Sequence, residues 1–154
     1  MWRCKFILVN TNNRRRTRKT APANTAKIRL VSLGGVGEIG KNMFAFEYNE
    51  EIVVIDGGLK FPEEDMLGVD IVIPDISYLV ENKDKVSALL ITHGHEDHIG
   101  GLPYILKQLP KPVYGTKLTL GLLEGKLKEK GMLADCELNR VRPGMRLRVS
   151  KNIE

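Results

Sequence analysis

All three histidines of the chain fall within one short segment, THGHEDHIGG at residues 92–101. They are His93, His95 and His98, and Asp97 lies between the last two. Imidazole nitrogens and carboxylate oxygens are common protein ligands of zinc and related metals. Residues two apart in an extended segment point to the same side, so His93 and His95 can place two nitrogens on one ion. Asp97 and His98 can then serve a second ion about 3.5 to 4 Å away.

Two ions at this spacing have a characteristic chemistry. They lower the pKa of a shared water, and they stabilise the attacking and leaving oxygens of a displacement at phosphorus or at a carbonyl carbon. The motif therefore predicts a hydrolase. Gly94 lets the backbone bend between the first two histidines, and Gly100 and Gly101 permit close packing of the next helix or close approach of a substrate.

A further carboxylate, Asp56, closes the apolar run EIVVID before Gly57 and Gly58. An aspartate after a buried strand is often only a turn residue. The pattern alone therefore leaves open whether Asp56 serves a turn or a site.

Apolar strands interspersed with helices must position these side chains, which predicts an α/β fold with a mixed sheet. Helices are expected over residues 75–82, with Asp75 as N-cap, over residues 98–109, and over residues 116–130. The expected strands are 27–33, 43–48, 51–56, 86–92 (which delivers the histidines), VYG at 113–115, and two near ELNRV at 137–141 and RLRVS at 146–150.

The segment GVGEIG at residues 35–40 matches the GxGxxG pattern, and with Lys41 it also matches part of a P-loop. Both phosphate-binding motifs must open a helix, whereas this segment leads into the strand-like NMFAFEY. Asn42 also stands where a P-loop has its magnesium-binding Ser or Thr. The segment therefore predicts a glycine-rich loop bordering a site.

Composition narrows the class of protein. The chain has 154 residues, enough for one domain, and is 42% hydrophobic and 28% charged. No apolar run approaches the roughly 20 residues that cross a bilayer, and the start does not resemble a secretory signal, so we expect a cytoplasmic protein without a membrane span. Cys4 and Cys136 form no CxxC pair, which argues against a zinc ribbon and a disulfide framework.

The net charge of +5 comes from one run, RRRTRK at residues 14–19. Removing its five basic residues from the 24 Lys and Arg leaves 19, which equals the 19 Asp and Glu. The run has no apolar period, so residues 1–26 are expected to be a basic flexible arm able to contact phosphates, or else a merely solvated tail. Residues 27–154 are expected to form the folded part.

The histidine segment resembles the signature of the metallo-β-lactamase superfamily, and VIDGG at residues 54–58 resembles its first motif. The flanking segments narrow the resemblance to bacterial ribonuclease J, a family of β-CASP nucleases. Those segments are LGGVGEIGKNMF, LKFPEEDMLGVDIVIPDISYLVENKDKV and GLPYILKQLPKPVYGTKLTLGLLEGKLKE.

This resemblance implies an αββα sandwich, of which the chain would supply the N-terminal half. Residues 27–154 would be a partial metallo-β-lactamase domain, without the β-CASP insertion and the C-terminal half. It also implies a metal-dependent ribonuclease with 5′-to-3′ exonuclease and endonuclease action, which hydrolyses RNA with a metal-bound hydroxide. Two Zn²⁺ ions, or Mn²⁺ or Mg²⁺ in their place, would be the cofactors. Family members are expected to form homo-oligomers or complexes with a paralogue.

The same resemblance assigns roles to residues. His93 and His95 would bind the first ion, and Asp97 and His98 the second. Asp97 would also be the catalytic residue that helps to hold the attacking hydroxide, and Asp56 would support the metal-binding loop without being a ligand. The family's remaining ligands would lie C-terminal to residue 154, so we expect the isolated chain to be catalytically silent.

Two other functions share the metal motif. Thioester, lactone and β-lactam hydrolases of the same superfamily attack a carbonyl carbon with a similar hydroxide. A non-catalytic truncated product could instead bind metal or RNA weakly, or pair with another chain. The flanking resemblance and the basic run favour RNA.

Deletion of residues 14–19 tests the basic run. If the run contacts phosphates, the deletion weakens binding to single-stranded RNA uniformly across sequences. Each lost phosphate contact reduces the slope of log affinity against log salt by about 0.7, so five contacts set a ceiling of about 3.5. Fluorescence anisotropy of a labelled RNA at several salt concentrations measures this slope. An unchanged slope would identify the run as a solvated tail.

Overall fold

The structure is a computed structural model that describes residues 27–154. The basic run at residues 14–19 and Cys4 lie outside the described residues. Six strands form one sheet in chain order within the described part. They are β1 (Ile28–Gly34), β2 (Met43–Tyr48), β3 (Glu51–Ile55), β4 (Val86–Leu90), β5 (Val113–Gly115) and β6 (Leu138–Arg140).

The sheet is mixed. Strands β1, β2 and β3 are antiparallel neighbours, whereas β3, β4, β5 and β6 pair in parallel. The β2–β3 hairpin turns through Asn49 and Glu50, whose φ angles of 49° and 64° are those of a tight hairpin turn. Helices occur in the parallel connections, as such crossovers require. The predicted α/β class with a mixed sheet is confirmed.

Four α-helices are present in the described residues: α1 (Ser77–Glu81), α2 (Glu96–Ile99), α3 (Leu102–Gln108) and α4 (Lys117–Glu129). A 3-10 helix follows at Leu133–Asp135. Helix α4 begins after Thr116, whose hydroxyl oxygen accepts the backbone N–H of Thr119 at 3.4 Å. Pro103 lies in the first turn of α3, where its missing N–H costs nothing, and Pro110 follows the end of that helix.

The core lies between one face of the sheet and the helices. Ala45, Val54, Leu89 and Val113 are register neighbours on β2 to β5, and each is fully buried. They belong to one apolar cluster with side chains of α1, α3 and α4. Burying a Leu or Ile side chain contributes about 1.5 to 3 kcal/mol, so this cluster fixes the strands and therefore the positions of their carboxyl ends.

The predicted helix over residues 98–109 is wrong in its bounds, because the structure has two helices there. His95, with extended backbone (ψ 153°), is the N-cap of α2, so the helix already begins at Glu96. Gly100 and Gly101 then separate α2 from α3.

Helix α1 also starts later than predicted. Ile76 is its N-cap, and Asp75 instead accepts the N–H of Ser77 at 2.9 Å.

The strand predicted near RLRVS at residues 146–150 is also absent from the structure. The backbone N–H groups of Val149 and Ser150 both donate to the carbonyl oxygen of Ile153, so the segment forms a turn. Glu51 accepts the Ser150 hydroxyl at 2.7 Å and the N–H of Asn152 at 2.9 Å. These contacts hold the turn at the start of β3 and bury Ile153.

Among residues 27–154, none of the helices is long and apolar enough to cross a membrane.

Glycines let three backbone segments meet at the end of β3. A Cβ atom at Gly58 would lie 1.7 Å from the carbonyl oxygen of Asp97, and one at Gly101 would lie 2.5 Å from the carbonyl oxygen of Gly58. Backbone atoms cannot rotate away as a side chain can. A Cβ atom at Gly58 would also lie 2.9 Å from the backbone nitrogen of Asn42. The segment after β3, the backbone just before β2 and the segment that follows β4 therefore touch only because these positions lack a side chain.

Replacing Gly58 with Ala tests this packing. The Cβ–carbonyl overlap forces a backbone shift, and we expect the free energy of unfolding to fall by about 3 kcal/mol. Gly121→Ala is the matched control, since nothing lies within 4 Å of a Cβ there and the position is inside α4. It should raise the free energy of unfolding by about 0.5 to 1 kcal/mol. Urea unfolding measures both, and equal stabilities of the two variants would contradict the packing described.

Candidate metal centre

The four residues predicted as metal ligands lie together just beyond the end of β4. His93 and His95 are in the extended segment after the strand, and Asp97 and His98 are in α2. His93 Nε2 is 3.2 Å from His95 Nδ1, and His98 Nε2 is 3.3 Å from Asp97 Oδ2. The ring centroids of His93 and His98 are 4.0 Å apart, so the two pairs are adjacent.

Both donor pairs have the separation that a shared zinc ion requires. Ligands about 2.0 to 2.1 Å from a tetrahedral ion lie about 3.3 Å from each other. The donor types, two nitrogens in one pair and a nitrogen with an oxygen in the other, also suit zinc. Within the part of the chain that the structure describes, no group of three His, Cys, Asp or Glu side chains could hold a metal ion. Each pair therefore fits as two ligands of a larger coordination shell, which no third side chain of the described residues completes.

Asp56 connects the end of β3 to this site. Its side chain is buried, and its φ angle of 61° lies in the left-handed region that Asp tolerates better than most residues. Oδ1 accepts the backbone N–H of Thr92 at 2.8 Å. Oδ2 accepts the Thr92 hydroxyl and His98 Nδ1–H, each at 2.8 Å. The carboxylate thus serves the site as well as the turn.

These hydrogen bonds fix which ring nitrogens carry protons. Because Asp56 can only accept, His98 Nδ1 is the protonated nitrogen and Nε2 keeps its lone pair toward Asp97. Thr92 Oγ1 donates to Asp56, so it accepts from His93 Nδ1 at 3.0 Å. His93 Nε2 therefore keeps its lone pair toward His95. One carboxylate sets the tautomers of two candidate ligands.

Asn42 also reaches the site, although no sequence pattern predicts this contact. Its Nδ2 lies 3.0 Å from Asp97 Oδ2 and 3.3 Å from His98 Nε2. The glycine-rich segment before it connects the antiparallel strands β1 and β2 and opens no helix, so it borders the site and lacks the context of a P-loop. The available signal was an amide side chain directly between a glycine-rich segment and an apolar strand.

Helix α4 packs against the segment after β4 that carries the candidate ligands. Lys126 Nζ forms an ion pair with Glu96, the residue before Asp97. A Cβ atom at Gly94 would lie 2.5 Å from Leu122 Cδ1, so Leu122 packs directly on the backbone between the first two histidines. These contacts limit how far the loop can move.

Burial lowers the pKa of His93 below the ordinary histidine value of 6.5. The neighbouring His98 and His95 lower it further, and the carboxylates of Asp56 and Asp97 oppose this effect. This environment therefore favours the neutral imidazole of His93, which is the form that binds a metal.

Comparison with known proteins places these observations in a family. Residues 36–135 match the family described as the Metallo-beta-lactamase superfamily. This chain belongs to that superfamily. The predicted fold class, an α/β fragment of the metallo-β-lactamase fold, is thereby confirmed.

Curated relatives narrow the similarity to ribonuclease J proteins. The chain is 57% identical over 108 residues to ribonuclease J2 of Bacillus subtilis, covering 70% of this chain and 20% of that protein. It is 50% identical over 130 residues to ribonuclease J of Thermus thermophilus, covering 80% of this chain and 23% of that protein. Rm3 metallo-beta-lactamase superposes with a TM-score of 0.47 at 20% identity, covering 80% of this chain and 49% of that one. The predicted resemblance to ribonuclease J is confirmed, and the chain spans about a fifth of the length of the curated relatives that it matches.

The pKa of His93 provides a test of the site in the metal-free chain. We expect its Hε1 proton resonance to titrate with a midpoint below 6.5 in the folded chain and near 6.5 in urea. The folded state then binds this proton more weakly than the unfolded state. The corresponding stability is present above pH 6.5 and is lost as the pH falls through the folded pKa. His93→Asn assigns the resonance by its disappearance, and a folded-state midpoint at or above 6.5 would contradict the half-buried, histidine-lined environment.

Proposed function

We propose that this chain contributes metal-binding and catalytic residues to a ribonuclease J-type, metal-dependent ribonuclease. In this proposal, residues 27–154 are a partial metallo-β-lactamase domain and residues 1–26 are a basic arm. His93 and His95 hold one ion, and Asp97 and His98 hold the other, with Zn²⁺, Mn²⁺ or Mg²⁺ as the metal. The observation that carries the proposal is the adjacency of two donor pairs at 3.2 and 3.3 Å.

Asp97 is the residue of this chain that would lie beside the attacking water. When bound, the two ions would supply a water nucleophile at neutral pH and neutralise charge on the phosphate. The Asp97 side chain is 42% exposed, so its carboxylate can reach the attacking water from the open side of the site. Asp97 is therefore the proposed catalytic residue.

Asp56 would act through the two imidazoles without touching the metal. Its carboxylate accepts from His98 directly and from His93 through Thr92, which holds both Nε2 atoms ready to bind. A carboxylate behind a ligating histidine also makes the imidazole more basic and thus a better ligand. This accounts for a buried charge at the end of β3.

RNA is the proposed substrate, cut by exonuclease and endonuclease action in the cytoplasm. The similarity to ribonuclease J proteins supports it, and the basic run at residues 14–19 supplies charge for phosphates. The protein is also proposed to assemble with a second copy of itself or with a paralogue. A thioester or lactone hydrolase would share the metal motif, so single-stranded RNA and a thioester are compared as substrates.

The test replaces His93 or His95 with Ala in an enzyme completed by the C-terminal part of a ribonuclease J relative. Each substitution removes a metal ligand, and we expect the rate of RNA hydrolysis to fall at least a thousandfold, or about 4 kcal/mol. Lys128→Ala, on the exposed surface of α4, is the control and should leave the rate unchanged. Retention of more than a few per cent of the rate by either histidine variant would refute the ligand assignment. Hydrolysis of the thioester in preference to RNA would refute the substrate.

A further inference from the structure

The glycine-rich segment before β2 has no role in the proposed function, yet it ends at the site. We define residues 35–41 as the glycine loop. The next residue, Asn42, places its side-chain nitrogen against both members of the second donor pair, 3.0 Å from Asp97 Oδ2 and 3.3 Å from His98 Nε2. A single amide group therefore bridges the two atoms that would share an ion.

The backbone and the glycine loop hold this amide in place. The N–H of Asn42 donates to the carbonyl oxygen of Asp97 at 3.0 Å, and its carbonyl oxygen accepts the N–H of Gly58 at 3.1 Å. The side-chain oxygen faces Gly35, where a Cβ atom would lie 2.4 Å from it. Only a glycine at position 35 leaves room for this orientation. The side-chain nitrogen is thus directed to Asp97 and His98.

The two acceptors differ in how many partners they can take. A carboxylate oxygen has more than one lone pair, so Asp97 Oδ2 can accept from Asn42 and bind a cation at the same time. His98 Nε2 has one lone pair, because Nδ1 carries the proton that is donated to Asp56. A cation at this pair must therefore displace Asn42 from His98 while Asn42 keeps its bond to Asp97.

We infer that Asn42 is a positioning residue that holds the Asp97 carboxylate for the second ion and links occupancy of that site to the glycine loop. This inference rests on the proposed function, because it assigns a supporting residue to the second ion. Loss of a hydrogen-bonding partner of a metal ligand commonly weakens metal affinity by about 10- to 100-fold. The bond to Asp97 is charge-assisted, which places Asn42 among such partners.

The experiment is a Zn²⁺ titration of the 154-residue chain, followed by NMR at the histidine ring nitrogens and the glycine amides. In Asn42→Ala we expect zinc affinity reported by His98 to fall about 10- to 100-fold, with affinity reported by His93 and His95 unchanged. In the wild type, the amides of Gly35 and Gly37 should shift with the same midpoint as His98. Asn42→Ala should abolish that coupled shift.

Two further variants separate positioning from loss of structure. Asn42→Leu keeps a side chain of similar shape, neutral and without the donor, so in metal-free protein the His98 Nε2 resonance should move as it does in Asn42→Ala. Asn139→Ala is the matched control, because it removes an Asn-to-Glu hydrogen bond of the same 3.0 Å length on β6, and it should leave zinc binding unchanged.

Equal zinc affinity at His98 in the wild type and in Asn42→Ala would overturn this inference but leave the proposed function standing. Equal weakening at both donor pairs would also overturn it, because a general loss of structure would then explain the effect. Failure of the wild type to bind zinc at any of the three histidines would contradict the proposed function together with this inference.

Discussion

The carboxylate of Asp56 accepts three hydrogen bonds, and the arrangement of the site depends on them. Its donors are the backbone and hydroxyl of Thr92 and the imidazole of His98. A buried charge is tolerated only when it is well hydrogen-bonded, and here the bonds also join the end of β3 to the loop after β4. The backbone N–H of Asp56 donates to the carbonyl oxygen of Leu90 at 3.0 Å, and this bond continues the parallel pairing of β3 with β4 up to the site. The geometry of the candidate ligands is therefore set by the sheet.

Close backbone approach is the second requirement. The backbone N–H of Gly57 donates to the carbonyl oxygen of His98 at 2.8 Å, and the N–H of Gly101 donates to the carbonyl oxygen of Gly57 at 2.9 Å. A side chain at Gly57 would collide with Leu102, so the segment that positions the candidate ligands also packs on the core. The site and the core consequently share the same few residues, and a change in one alters the other.

Sequence patterns predicted the features that follow from local chemistry. The strands, the long helix α4 and the clustering of the histidines with Asp97 depend on periodicity and spacing, which a sequence displays directly. The role of Asn42 depends on a contact with Asp97, 55 residues away, which spacing does not reveal. The break between α2 and α3 similarly depends on the packing of Gly101 against Gly58, and the turn at residues 149–153 depends on Glu51. These three features were each set by a tertiary contact, whereas the later start of α1 follows from the local bond between Asp75 and Ser77.

The order of strands in the sheet is the same as their order in the chain. Each new strand can therefore pair with the exposed edge of the one made just before it, and none must be inserted between two strands that are already paired. Short sequence separation between pairing segments lowers the entropic cost of closing loops and favours rapid folding. Because β3 precedes β4, Asp56 is synthesised before Thr92 and His98, so the acceptor is already present in the chain when its donors are made.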